Sequence, residues 1–288
     1  MQIVISGLAV GCVYGLIALG FVLIYKATET VNFAQGELMM IGAYFAYTMA
    51  ELWHWPFLPS VVVAVLGTAL VGAAIERVLL RPIEGEPTIA VIMVTLAIGM
   101  IARGVASALP GWGTDTHHLH VPYQGGLVDL FQARLSMEHI VIVCSTAGLC
   151  LALFYFFRAA KLGLAMRAVS QNQLAAYYIG IPVSGTNARV WALSGGIAAV
   201  AGILMAPITF VHINMGSVGV MAIPAAVIGG FGSIPGAVAG GLILGLCESV
   251  AGLYLPEGFK DPAPHVLVLL VLMIKPSGLF ADQVRKKV

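Results

Sequence analysis

Two carboxylates, Glu37 and Glu248, stand within or beside strongly apolar sequence. An ionised side chain there costs about 2.5–3.5 kcal/mol at mid-membrane unless it meets a partner or water, so both are expected to face protein or a wet path. Glu37 comes with Asn32, Gln35 and Gly36 in the run NFAQGE. That run reads either as a polar break lining a conduit between paired chains, or as a helix start whose dipole favours a carboxylate at the inner surface. Glu248 lies well inside its apolar run, and structural pairing with Arg189 or Arg103 is the expected outcome. His117, His118 and His120 crowd one polar stretch. Positions i, i+1 and i+3 share no single helix face, so an exposed loop is expected rather than a metal site. Cys12, Cys144, Cys150 and Cys247 lie singly in apolar sequence, without the paired spacing of a zinc or redox site, and read as small packing residues. There is no phosphate-cradling Walker loop, no HExxH and no GxSxG. The chain is therefore not expected to be an enzyme or to bind a metal or cofactor of its own.

The elements that must hold these residues are membrane spans. Apolar residues make up 60% of the 288, and only 9% are charged, far from the roughly 25% of soluble domains. A net charge of +1 excludes a global basic field for nucleic acid, and the cations cluster at the ends of apolar runs. Residues 1–25 carry no charge and lack the basic start of a secretory leader, so they are expected to stay as a span.

Taking about 20 apolar residues per crossing, spans are expected at 2–25, 36–53, 58–75, 88–109, 139–157, 189–211, 235–253 and 264–274. Residues 220–231, which hold Pro224, are too short for a full crossing and read as a re-entrant or broken helix. The fold expected is an all-α polytopic membrane protein, one permease-like domain over 1–288, with about eight transmembrane helices and one partial element. Trp53 and Trp55 suit an interfacial belt. Residues 110–138 form the longest polar interval and are placed outside, with a short amphipathic piece near 127–135 and with His212 and Asn214 in another outer loop.

A basic segment of residues 158–187 lies between two spans, and within it 162–182 (LGLAMRAVSQNQLAAYYIGIP) reads as a short helix stopped by Gly180 and Pro182. Arg158, Lys161 and Arg167 come with no acid, which places this loop in the cytoplasm. It reads either as a handle for a cytoplasmic partner or as an amphipathic helix on the lipid surface, which Tyr177 and Tyr178 would suit. Farther on, Gly232, Gly236 and Gly240 recur every four residues, as do Gly241 and Gly245, the small-residue face that lets membrane helices approach closely. Whether that face meets this chain or another is open.

The loop resembles that of ABC-importer membrane subunits, in which two alanines are followed four residues later by Gly, here Ala175, Ala176 and Gly180. AMRAVSQNQLAAYYIGI, VNFAQGEL, ERVLLRP, GGFGSIPGAVAGGLILGLCES and KPSGLF resemble, nearly end to end, the permeases of the branched-chain amino acid importer family (LivH-like). The resemblance implies a coupling helix docking on an ATP-hydrolysing subunit through Met166, Arg167, Gln171, Asn172, Leu174, Ala175, Ala176 and Gly180. Leu174 stands where a Glu usually precedes the two alanines. It also implies a pathway touched by Asn32, Gln35 and Glu37. The partners implied are a second permease, two ATP-binding subunits that use ATP and Mg, a solute-binding protein and the lipid bilayer of the bacterial inner membrane. Branched-chain or other amino acids, urea or short amides are the solutes implied. The rival class is a self-sufficient secondary transporter or channel, for which only Glu37, Glu248, Arg103 and Arg189 are available as a relay.

Overall fold

The computed structural model describes residues 2–130, 133–256, 258–260 and 262–280. Its helices are α1 (Gln2–Thr28), α2 (Gln35–Tyr47), α3 (Phe57–Ile75), α4 (Thr88–Ala108), α5 (Met137–Ala159), α6 (Lys161–Gln171), α7 (Gln173–Tyr178), α8 (Val183–Thr209), α9 (Ser217–Met221), α10 (Ile223–Gly229), α11 (Ile234–Tyr254) and α12 (Pro262–Ile274). The chain is overwhelmingly helical. Among the described residues, six helices are long and apolar enough to cross a membrane: Ile3–Thr28, Phe57–Ile83, Thr88–Ala108, Met137–Ala159, Val183–Thr209 and Ile234–Tyr254. The stretches Ile213–Gly229 and Pro262–Ile274 are apolar but shorter. α2 continues through a wide turn at Thr48–Leu52 and stops at Trp53, before Pro56.

α1 is apolar on every side, and it is correspondingly the central rod, with 89% of its apolar window buried against 17% for α5 at the rim. It runs antiparallel to α11, with Gly7 beside Ser249, Gly11 beside Gly241 and Gly15 beside Val238. α8 fills the other side of α1 and also packs on α2 and α3, where Gly195 meets the Thr68 carbonyl and Gly42 meets Ala199. Trp191, Tyr44 and Phe21 are the largest fully enclosed side chains.

The amphipathic piece near 127–135 is a β-hairpin: β1 (Leu127–Leu130) pairs antiparallel with β2 (Ala133–Ser136). Apolar and polar residues interleave along this piece, a pattern that suits a strand as well as a helix face. The rest of the loop is anchored firmly. Trp112 stacks on Tyr44 at 4.6 Å and donates from Nε1 to Thr48 Oγ1 at 2.8 Å, a stacked pair worth about 0.5–1.5 kcal/mol beyond its burial. The three histidines go to three different neighbours. His117 donates to the Trp112 carbonyl and bridges Val211 through its backbone, His118 packs edge-on to Phe210, and His120 pairs with Glu51 at 3.2 Å. Burial pushes the Tyr123 phenol of the same loop up to about 12, with Glu138 adding to the shift. The bridge to Val211 puts His212 and Asn214 beside this loop.

Candidate functional site

Asn32 and Gln35 are fully enclosed and form a polar staple. Asn32 Oδ1 accepts from the Ala34 N–H at 3.0 Å, and its Nδ2 donates to Gln35 Oε1 at 3.3 Å. Ser194 Oγ lies 3.0 Å from Gln35 Oε1 and 3.1 Å from the Gly20 carbonyl, and Gln35 Nε2 donates to the Ser194 carbonyl. The break at 29–34 is thus tied to α1 through Gly20 and to α8 through Ser194, while the Phe33 N–H reaches Thr95 Oγ1 on α4 at 3.3 Å. Each buried polar atom left unpaired would cost about 1–3 kcal/mol, which is why a polar run this deep needs a hub. Asn32 and Gln35, expected along a pathway, are enclosed within the chain, where they tie α1, α2 and α8 together. Ser194 is the hub, and it gave no signal within a charge-free run of small and apolar residues.

Glu37 sits in the first turn of α2 but is buried rather than at a surface. Its Oε1 accepts from Arg103 Nη2 at 2.6 Å and Nε at 3.0 Å, and Gly99 and Gly216 leave the room that its side chain occupies. The expected pairing of Glu248 with Arg103 or Arg189 is corrected. Arg103 belongs to Glu37, and Arg189 is exposed. Glu248 Oε2 accepts from the Tyr14 hydroxyl at 2.7 Å, and its Oε1 pairs with Lys260 at 3.2 Å. Glu248 stands level with the first half of α1, near Gly7 and Tyr14, whereas α8 meets α1 near Gly20 through Ser194, five residues past Arg189. Lys260 lies just past α11, too far along the chain for helical spacing to reveal the pair.

The glycine series divides over two faces. Gly236 and Gly240 lie on the backbone of α10, at Gly229 and Ala225, whereas Gly241 and Gly245 lie on α1 at Gly15, Gly11 and Gly7. The partners are thus in this same chain. Gly232 is the exception, since it precedes α11 and nothing surrounds the position of its missing side chain.

The basic segment is two helices instead of the one expected. Asn172 leaves helical geometry at φ −161°, ψ 106° and caps α7, its Oδ1 accepting from the Ala175 N–H at 2.9 Å. Short polar side chains compete with helix propagation in this way, and that competition divides the segment. Met166 and Val169 of α6 and Ala176 of α7 face inward. Arg167 turns back to the Phe157 carbonyl, and Gln171, Asn172 and Ala175 face outward. α7 ends at Gly180, whose φ of +86° is left-handed, with the Gly180 N–H on the Tyr177 carbonyl and the Ile181 N–H on that of Ala176. Leu174, Tyr177, Tyr178 and Ile179 are 64–78% exposed, an apolar patch on a loop between long helices.

α7 is bolted to the bundle. Gln173 Nε2 donates to the Ala27 carbonyl at the end of α1, at 2.6 Å. At the start of α8, Arg81 donates to the Ser184 carbonyl at 3.1 Å and Asn187 Nδ2 to Glu84 Oε1 at 3.2 Å. A polar cavity of about 600 Å³, walled in part by Glu29, Glu76, Glu84, Glu86 and Trp191, lies in this joint.

Residues 3–275 match the family described as branched-chain amino acid transport system / permease component. The high-affinity branched-chain amino acid transport system permease protein LivH of Salmonella typhimurium is 31% identical, with 100% of this chain and 97% of that protein aligned. BraD of Pseudomonas aeruginosa is 29% identical over 100% of this chain and 98% of its own length, and a probable LivH of Methanocaldococcus jannaschii is 31% identical over 92% and 87%. Among solved structures, PsaBC from Streptococcus pneumoniae in complex with Fab shares the fold at a TM-score of 0.51 and 17% identity, covering 96% of this chain and 91% of that one. With its six long apolar helices, the chain is a multi-pass inner-membrane protein, and it belongs to the permease component family of branched-chain amino acid transport systems.

Proposed function

We propose that this chain is one half of the membrane pore of an ATP-driven ABC importer for branched-chain or other amino acids or a related small solute. It would pair with a second related permease, take its energy from two cytoplasmic ATP-binding subunits using ATP and Mg, and receive solute from a binding protein. The finer topology proposed adds α2 with its Thr48–Leu52 extension and α12 to the six long helices, giving eight full or nearly full spans, with Ile213–Gly229 as a broken crossing.

The observation that carries this reading is the suspension of α7. Its outer face is apolar and exposed, while Gln173 ties it to the end of the central rod α1 and Gly180 leads directly into α8. A subunit that grips Leu174 and Tyr177 and moves on closing around nucleotide would displace α1 and α8 together, and through the Gln35 and Ser194 staple α2 as well. A secondary transporter would need a relay of titratable groups instead. Here the carboxylates Glu37 and Glu248 each have a basic partner in place. Reconstitution separates the two: with this chain, its second permease, the ATP-binding subunits and the binding protein in liposomes, uptake requires all of them and ATP. Solute movement through this chain alone would establish the rival reading.

A further inference from the structure

A cavity of about 810 Å³ opens beside α6, walled by α1, α5, α8 and α11. Its polar and apolar residues are segregated. Lys26 at the end of α1, Arg158 at the end of α5 and Arg167 on α6 gather at one level, together with Ser170. Leu19, Cys150 and Leu242 line it seven or eight residues deeper along α1, α5 and α11, and Leu23, Leu153 and Val238 lie between. At 1.5 Å rise per residue the apolar slot is about 11–12 Å deep, the reach of eight or nine methylenes of an extended chain. Among the described residues, no acidic side chain lines it.

We propose that this cavity holds an anionic phospholipid of the cytoplasmic leaflet, its phosphate on Lys26 and Arg158 and one acyl chain in the slot. The inference rests on the inside placement of the basic segment but not on the solute or the ATP-binding partners. A neutral solute or a zwitterionic headgroup has no use for two or three cations above a greasy slot, whereas an anionic lipid satisfies both halves at once. The bound lipid would lie against Met166 and Arg167, so leaflet composition would bear on the segment that carries α7.

The test uses the purified full-length chain in zwitterionic detergent, titrated with phosphatidylglycerol, with phosphatidylcholine of the same acyl length, or with inorganic phosphate. Native mass spectrometry counts bound lipid, and thermal unfolding reports stabilisation. The chain should prefer phosphatidylglycerol over phosphatidylcholine by at least about tenfold, and phosphate alone should not stabilise it. Lys26→Ala combined with Arg158→Ala should bring the preference within about twofold, while the charge-keeping Arg158→Lys should retain it. Equal binding of the two lipids would overturn the proposal, as would stabilisation by phosphate alone or a preference that survives the double substitution. If the alanine variant fails to fold, the wild-type and Arg158→Lys titrations decide the matter by themselves. Failure here would leave ATP-driven uptake in the complete complex untouched, so the two readings fall separately.

Discussion

Two nitrogens of Arg103 converge on one oxygen of Glu37, at 2.6 Å and 3.0 Å, and this ion pair ties α4 to α2. α4 is otherwise thinly held, with only 22% of its apolar window buried. The Arg103 side chain is 40% exposed while that of Glu37 is 7% exposed, so the carboxylate depends on the arginine more than the reverse. Arg103→Met should therefore destabilise the protein by about 2–3 kcal/mol by stranding a buried charge, whereas Glu37→Gln should cost about 1 kcal/mol. Replacing both residues with Met and Gln should restore part of the loss. Denaturant titration in detergent reads all three variants; strictly additive losses would mean that the two groups do not act as a pair.

The contact of α1 with α11 makes a sharper distinction among the glycines. A methyl group at Gly245 or Gly241 would run into the backbone of Gly11 or Gly15, while at Gly232 it meets nothing. Gly245→Ala and Gly241→Ala should each destabilise by about 1–3 kcal/mol. Gly232→Ala should stay within about 0.5 kcal/mol. Thermal unfolding of the three variants at matched detergent orders them, and equal effects would show that helix approach is not what the series controls.

The cap of α7 gives a local test. Asn172→Ala removes the acceptor for the Ala175 N–H, which should cost about 1 kcal/mol. That loss should appear as faster hydrogen exchange confined to Gln173–Tyr178, with global unfolding nearly unchanged. Unchanged exchange there would show that the break at Asn172 is held by something else.

Much of this was legible in residue order, and the misses share a cause. Long apolar runs bounded by Lys26, Arg158 and Lys275 marked the spans because a bilayer allows little else. The turn at Gly180 could be read because only certain residues tolerate a left-handed stop. Pairing between distant elements could not. Glu248 finds Tyr14, 234 positions away, and Lys260 past its own helix, and neither spacing follows a helical period. Asn32 and Gln35 are polar, which suggested a pathway, but the sequence could not show that they bond to Ser194 inside the chain. Polarity in a membrane sequence says that a partner exists, not whether that partner is solute or protein.

The proposed transmission of motion through α7 is tested most directly by uptake. Pro cannot adopt the φ of +86° found at Gly180, and Asp at the enclosed Ala176 would bury a charge; either change should uncouple α7 from α8. In liposomes holding the complete complex, with this chain quantified in the membrane, ATP-driven uptake by Gly180→Pro should fall at least about twentyfold while its abundance stays within about twofold of wild type. Wild-type uptake rates from that variant would contradict the proposal that α7 carries the stroke to α1 and α8.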